Sequence, residues 1–252
     1  MNEIGKIDSI FPLMDEVTVR VKGCRTLEDA AQKVTDVLYE KCSDSVILVR
    51  LFATVPFGAL PAANRSFVET LANRHNISKL ITYETPVLSL LGTRGIKPAW
   101  NDRRQSAGHV GIPLASAAFI DRIPMMSRLA KEVGLDMDWI DRKAAIAIKT
   151  YAGVSGVFYV SDAEAAVDDQ GRKIITAQDF VHDYKVKTVF GLATHYTSSA
   201  TFLTLIAFCR ESIEKSRVEQ FLPLISHIKA GTTSLVSAKA IFGGGVASGV
   251  SN

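Results

Sequence analysis

The chain has 252 residues, 47% hydrophobic and 22% charged, which is enough apolar material for one domain with a substantial core. Its net charge of +3 is spread, with Lys and Arg interleaved among Asp and Glu, so no basic stripe marks a nucleic-acid partner. Three cysteines (Cys24, Cys42 and Cys209) with no C-x-x-C spacing suggest neither a disulfide framework nor a zinc knuckle, and Cys209 reads as a small buried hydrophobe.

The opening MNEIGKIDSI lacks the apolar core of a signal peptide, and the best apolar run, FLTLIAFC, is only strand-length. The expectation is a cytoplasmic protein without a membrane span. Residues 1–25 contain IFPLMDEVTVRV, a first strand or an N-terminal brace. Thr26 then caps TLEDAAQKVTDVLYEKC, in which Leu27, Ala30, Ala31, Val34, Val37 and Leu38 recur with helical period. The β-branched Ser45–Thr54 is a buried strand, and VPFGALP ends it. ANRSFVETLANRH is a helix starting near Pro61, where proline suits the first turn. ITYETPVLSLL is apolar, but its Pro86 disfavours a central strand position.

GTRGIKPAWNDRRQSAGHVGIPLA is the least regular stretch, with a short strand expected at HVGIPLA. FIDRIPMMSRLAKEVGLD is a helix with Pro124 in its first turns and Gly134 as C-cap. KAAIAIKTYAGVSGVFYV leads into a second strong strand. SDAEAAVDDQGRK is an acidic connection turning at Asp-Gln-Gly, and ITAQDFVHDYKV is a short helix. A β-hairpin follows, Lys187–Tyr196 and Thr201–Cys209 joined by TSSA. Ser216 and Glu219 form a capping box for the final helix. In that helix Val218, Phe221, Leu222, Ile225, Ile228 and Leu235 make a near-heptad stripe, with Thr232 interrupting and Pro223 expected to kink it.

Both hairpin strands are apolar on both faces. Phe202, Ile206 and Phe208 oppose Leu203, Leu205, Ala207 and Cys209, while Phe190 and Leu192 oppose Val189, Gly191 and Ala193. A half-solvated antiparallel sheet would alternate apolar with polar. Here helices must cover one face, and central helices and loops the other, which is a natural place for a ligand cavity.

The block TAQDFVHDYKVKTVFGLATHY…TFLTLIAFCRE…EQFLPLISHIKAG, with the opening TLEDAAQKVTDVLYEKC and SVILVRLFAT, resembles a GAF-type sensor domain, as in the sensor regions of bacterial histidine kinases and cyclases. The resemblance frames residues 26–236, with residues 60–153 as an enlarged middle. It implies an α+β fold: a central antiparallel sheet, terminal helices on one face, and helices and loops roofing a pocket on the other. The organisation is then a brace (1–25), a GAF-like sensor domain (26–240) and a flexible Gly/Ser-rich tail (241–252). The chain lacks the asparagine/lysine-phenylalanine-aspartate-glutamate signature of cyclic-nucleotide-binding members and the cysteine-histidine dipeptide that anchors a bilin. Both ligands are disfavoured, and no cofactor is named.

Trp100, Asn101, Asp102, Arg103, Arg104 and His109 form the densest polar cluster, in which paired arginines suit a carboxylate or phosphate and Trp100 suits a flat ligand. Any one of them also reads as part of a solvated loop. Phe158, Phe190, Thr194 and His195 complete the ligand-facing set, with Tyr196 beside it. A metal site would require His182, His195 and a carboxylate such as Asp179 to converge, and no spacing demonstrates that. Asp162, Glu164, Asp168 and Asp169 lack the spacing of a calcium loop, and Asp136, Asp138 and Asp141 read as helix-end residues. There is no G-x-S-x-G elbow, P-loop, H-E-x-x-H or Rossmann fingerprint, and Gly243–Gly245 stands in the tail rather than between a strand and a helix. The leading reading is a non-catalytic sensor of an unidentified small molecule, dimeric through its terminal helices, acting on a signalling partner or a missing output domain. The alternatives are an enzyme using His195 or His109 with a carboxylate, and a dimerisation module with a filled core.

Overall fold

A computed structural model describes residues 3–106, 108–134, 140, 155–197, 199 and 201–243 of the chain. The first apolar stretch is helical: α1 spans Phe11–Val21, following a short 3-10 turn at Ile4–Lys6. The β-branched residues that suggested a strand lose to a four-residue period, because Leu13 and Val17 share the buried face. α2 (Leu27–Lys41) starts where expected, with the Thr26 hydroxyl accepting from the Asp29 amide at 3.1 Å.

The strands are β1 (Val46–Pro56), β2 (Pro86–Gly95), β3 (Gly111–Pro113), β4 (Gly156–Val160), β5 (Thr188–His195) and β6 (Phe202–Cys209). They form one antiparallel sheet in the order β3-β2-β1-β6-β5-β4. ITYETPVLSLL does enter the sheet interior, because Pro86 sits at the first residue of β2, where a missing amide costs no ladder bond. A bulge between Leu51 and Phe52 in the β1–β2 pairing leaves Leu91 as the extra residue. Leu90 therefore packs into one core and Leu91 into the other.

The remaining helices are α3 (Ala62–Arg74), α4 (Ala117–Asp121), α5 (Pro124–Glu132), α6 (Gln178–Asp183), α7 (Lys215–Glu219) and α8 (Leu222–Ser237). The expected single helix at FIDRIPMMSRLAKEVGLD is two, split before Pro124, which begins α5; Gly134 then ends it with φ +77°. The last helix is also two. Ser216 lies inside α7 and makes no cap, and Pro223 starts α8 rather than kinking a continuous rod.

Both faces of the sheet are covered, as the two-sided strands require, and the arrangement is α+β, one antiparallel sheet with helices on both sides. One core lies between the sheet and α1, α2 and α8, filled by Val34, Val49, Leu51, Leu192, Leu205, Leu224 and Ile225 among others. α2 approaches β2 so closely that a Cβ on Gly92 would lie 2.4 Å from the Ala31 carbonyl carbon. The other core lies between the sheet and α4, α5, α6 and the connecting loops, filled by Phe52, Leu90, Phe119, Phe158, Ile174 and Ile206 among others. This second face is the roofed one.

In the stripe of α8, Ile225, Ile228, Thr232 and Val236 are buried. Thr232 continues the stripe rather than interrupting it. Its hydroxyl donates to the Ile228 carbonyl at 2.6 Å and accepts from the Tyr196 hydroxyl at 2.7 Å. The residues before Ser155 in KAAIAIKTYAGVSGVFYV, Asp136, Asp138 and Asp141, most of the Gly/Ser-rich tail and part of the TSSA turn lie outside the described residues.

Candidate functional site

The roofed face of the sheet reads in rows, because antiparallel partners share a face. One row runs Thr93, Arg50, Ile206, Gly191 and Phe158 across β2, β1, β6, β5 and β4. The next holds Leu90, Phe52, Thr204, Ala193 and Gly156. Beyond it stand Leu88 and Thr54, then Phe202 and His195, with the Thr54 hydroxyl accepting from the Phe202 amide at 2.8 Å. An arginine thus sits in the middle of a largely apolar floor.

Arg50 is poorly compensated. Its Nη2 donates to the Ser106 hydroxyl at 3.2 Å, and its buried Nε has no partner. Burial pushes the guanidinium down to about 10, with no acidic neighbour offsetting it. Thr93, directly opposite on β2, is completely buried with an unpartnered hydroxyl. His109 has φ +23° and is itself exposed, yet desolvation of its ring, then the Arg50 charge, holds its imidazole below the usual range. At the far end of the floor His195 is 1% exposed, lies 4.8 Å ring to ring from Phe202, and has no partner at either nitrogen. Burial, then the charge of Lys229, lowers its pKa. From strand spacing and rise, Arg50 and His195 lie roughly 10 Å apart across the sheet and roughly 13 Å along it.

The distribution of such atoms is uneven. Among the described residues, buried side-chain atoms without partners occur on Arg20, Arg50, Thr93, Arg94 and His195. Arg20 and Arg94 are nonetheless ion-paired, these same Nε atoms lying 3.4 Å from Glu16 and 3.8 Å from Asp36, with Arg20 also reaching Glu40. The remaining three all stand on the roofed face.

The residues singled out in the sequence divide into groups. Trp100 packs edge-on against Phe180 and Tyr184 at 5.6 and 5.0 Å, with the Lys97 ammonium 5.6 Å from its ring. Arg103 is 6% exposed; its Nε donates to Glu28 at 2.7 Å and its Nη1 to Asn64 at 3.2 Å. Arg104 reaches the same Glu28 oxygen at 3.0 Å, and Asp102 caps the 3-10 turn that carries both arginines. Asn101 accepts from the Gly95 amide, while Gln32 bonds both backbone groups of Thr93. These two side chains satisfy the part of β2 that β3 is too short to pair. Phe158 lies on the roofed face. Phe190 and Thr194 lie on the opposite one, where Phe190 meets Phe221 and Thr194 accepts from Ser155 at 3.1 Å.

His182 is exposed, 3.7 Å from Asp183, and does not approach His195. No cluster of three or more His, Cys, Asp or Glu residues converges on a metal position among the described residues. Asp162 and Asp168 organise their own turns by accepting from nearby amides, and Asp168 pairs with Arg172 at 2.7 Å. No helix is long and apolar enough to cross a membrane among the described residues. Sequence reasoning missed Arg50 and Thr93. The available signal was an arginine in the apolar run SVILVRLFAT, where a charge on a two-sided strand needs an explanation.

No protein-family model matches the sequence, and no curated protein matches it. Solved structures of GAF domains are similar in fold. The phycoerythrobilin-bound GAF domain of a cyanobacterial phytochrome shares 10% identity over 91% of this chain and 97% of its own, with a TM-score of 0.47. The GAF domain of an Acinetobacter phosphoenolpyruvate-protein phosphotransferase shares 10% identity over 92% and 96%, with a TM-score of 0.46. Another GAF domain shares 9% over 89% of each chain, with a TM-score of 0.43. At these identities and TM-scores the likeness carries no argument, and the reading of the site rests on this chain's own residues.

Proposed function

We propose that this chain is a small-molecule-binding sensory domain whose ligand sits on the roofed face of the sheet, over Arg50, Thr93 and His195. The observation that carries this reading is the concentration there of buried polar groups without partners, since a native core leaves few such groups unsatisfied unless they have work to do. His109 and Phe158 border the same floor and are ligand-facing in this reading. Trp100, Arg103 and Arg104 hold the roof loop in place, and Phe190 and Thr194 belong to the output side.

Strand β5 supplies the link between the two. His195 faces the ligand side, while its neighbours Thr194 and Tyr196 bond toward α8 through Ser155 and Thr232. A ligand that moves β5 therefore moves the terminal helices. In the cytoplasm these helices would pass the signal to a second copy or to an output partner. The apolar side chains Phe11 and Val19, about 70% exposed on α1, suit such a contact.

The test is a thermal-shift screen of a diverse small-molecule library against the full chain and His195→Phe. The reading expects compounds that raise the melting temperature of the wild type and lose that effect in the variant. A library that shifts neither protein, or hits that bind both equally, would refute a site at His195.

A further inference from the structure

Resting on that reading, we propose that the ligand carries a carboxylate, and that Arg50 receives it with Thr93 and Ser106 as neutral hydrogen-bonding partners. A guanidinium is always charged and is seldom buried without a counter-ion. The two other arginines of this region show the usual arrangement, Arg103 and Arg104 sharing Glu28. Arg50 is half-buried and, among the described residues, has only the neutral Ser106 hydroxyl, while its buried Nε–H has no acceptor. Nε and Nη2 form the guanidinium edge that takes a planar carboxylate by two parallel bonds. Here one donor of that edge is free and the other holds a hydroxyl at 3.2 Å.

Charge and shape both select a carboxylate. One uncompensated cation is neutralised by one monoanion, whereas a phosphate dianion would leave an excess negative charge on an apolar floor bounded by Phe52, Ile206 and Phe158. Thr93 stands opposite Arg50 in the same row, and its buried hydroxyl is free to donate to the second face of the anion. No proton moves and no bond is made or broken. The exchange replaces the Ser106 contact with a charged one.

Ser106 is bonded to the Gly108 carbonyl at 2.9 Å, and His109 follows in a left-handed backbone conformation. Desolvation and the positive Arg50 disfavour a charged His109 beside it. A bound carboxylate would relieve that repulsion.

The experiment uses the full chain, with isothermal titration and thermal shift against sodium butyrate, uncharged butyramide and inorganic phosphate. Butyrate is expected to bind and raise the melting temperature, with butyramide inert. Arg50→Met should weaken butyrate at least about ten-fold, the size expected for loss of a charged hydrogen bond. Chemical-shift changes at Thr93 and Ser106 would locate the anion. Equal binding of butyrate and butyramide, unchanged binding by Arg50→Met, phosphate preferred over butyrate, or no binding of butyrate would each overturn the proposal. Neutral library compounds that stabilise wild type and Arg50→Met alike while failing on His195→Phe would leave the sensory reading standing and remove only the carboxylate. A chain that responds to no compound at all loses both.

Discussion

The two faces of the sheet are built from the same strands and filled with side chains of the same kind, yet they treat polar groups differently. On the terminal-helix face a buried hydroxyl such as Tyr196 is matched to Thr232, and Thr194 to Ser155. On the roofed face Arg50, Thr93 and His195 are left with free donors or acceptors. The arginines make the contrast sharper. Arg103 at the edge of β2 is nearly sealed and fully engaged by Glu28 and Asn64, whereas Arg50 at mid-sheet has no acid. One charge is matched by an acid and the other is not. In the proposed reading the second is kept for binding rather than folding.

The largest effect should come from the edge. Glu28→Ala removes the acceptor of both Arg103 and Arg104 and of the Gly243 amide, and it leaves the Arg103 charge buried. Breaking a buried pair in this way costs about 3–5 kcal/mol, measurable by urea unfolding with an unchanged m-value. A loss below about 1 kcal/mol, the size of an exposed pair, would mean that Arg103 finds water or another partner.

Arg50→Met should have the opposite sign. Removing a half-buried cation that has no counter-ion, and filling its place with an apolar side chain, is expected to leave stability unchanged or raise it by about 1 kcal/mol. A clear destabilisation would show that Arg50 works as a structural tie to Ser106, and the two faces would then differ less than their hydrogen bonds suggest.

Much of the frame was legible from residue patterns that act locally. Thr26 three residues before Asp29 identifies a cap, and the β-branched run at Ser45–Thr54 a strand. The doubled apolar faces of β5 and β6 required a covered sheet, and the structure covers both sides. Legibility ended where distant partners decide. Glu28 lies 75 residues from Arg103, so nothing in NDRR showed that both its arginines were already engaged. The face of Phe190 against that of Phe158 depends on sheet order and register, and those depend on which helices cover which side. Among the prolines Pro223 departs from expectation: like Pro12 at the start of α1 and Pro124 at that of α5, it begins a helix, α8, rather than bending one.

The smallest expected effect is a pH dependence, and it too separates the faces. His195 is buried with both nitrogens unpartnered, and burial followed by the Lys229 charge depresses its pKa in the folded state. The unfolded chain, with an ordinary histidine near 6.5, then binds the proton more readily than the folded one. Stability contributed by neutral His195 is fully present above about 6.5 and declines as pH falls below it, because protons are taken up on unfolding. His109, lowered by desolvation of its ring and then by the Arg50 charge, should add to the same slope. Urea unfolding at pH 7.5 and at pH 5.5, above the range where ordinary carboxylates titrate, should show a lower midpoint at the acid value. His195→Phe should flatten that difference. A butyrate-bound protein should keep the His195 part, since His195 stands two strands and four residues away from Arg50 on the floor, while losing the Arg50 share of the His109 part. If the midpoint is the same at both pH values, His195 is taking up a proton inside the fold without penalty, and the roofed face must supply it with an acceptor after all.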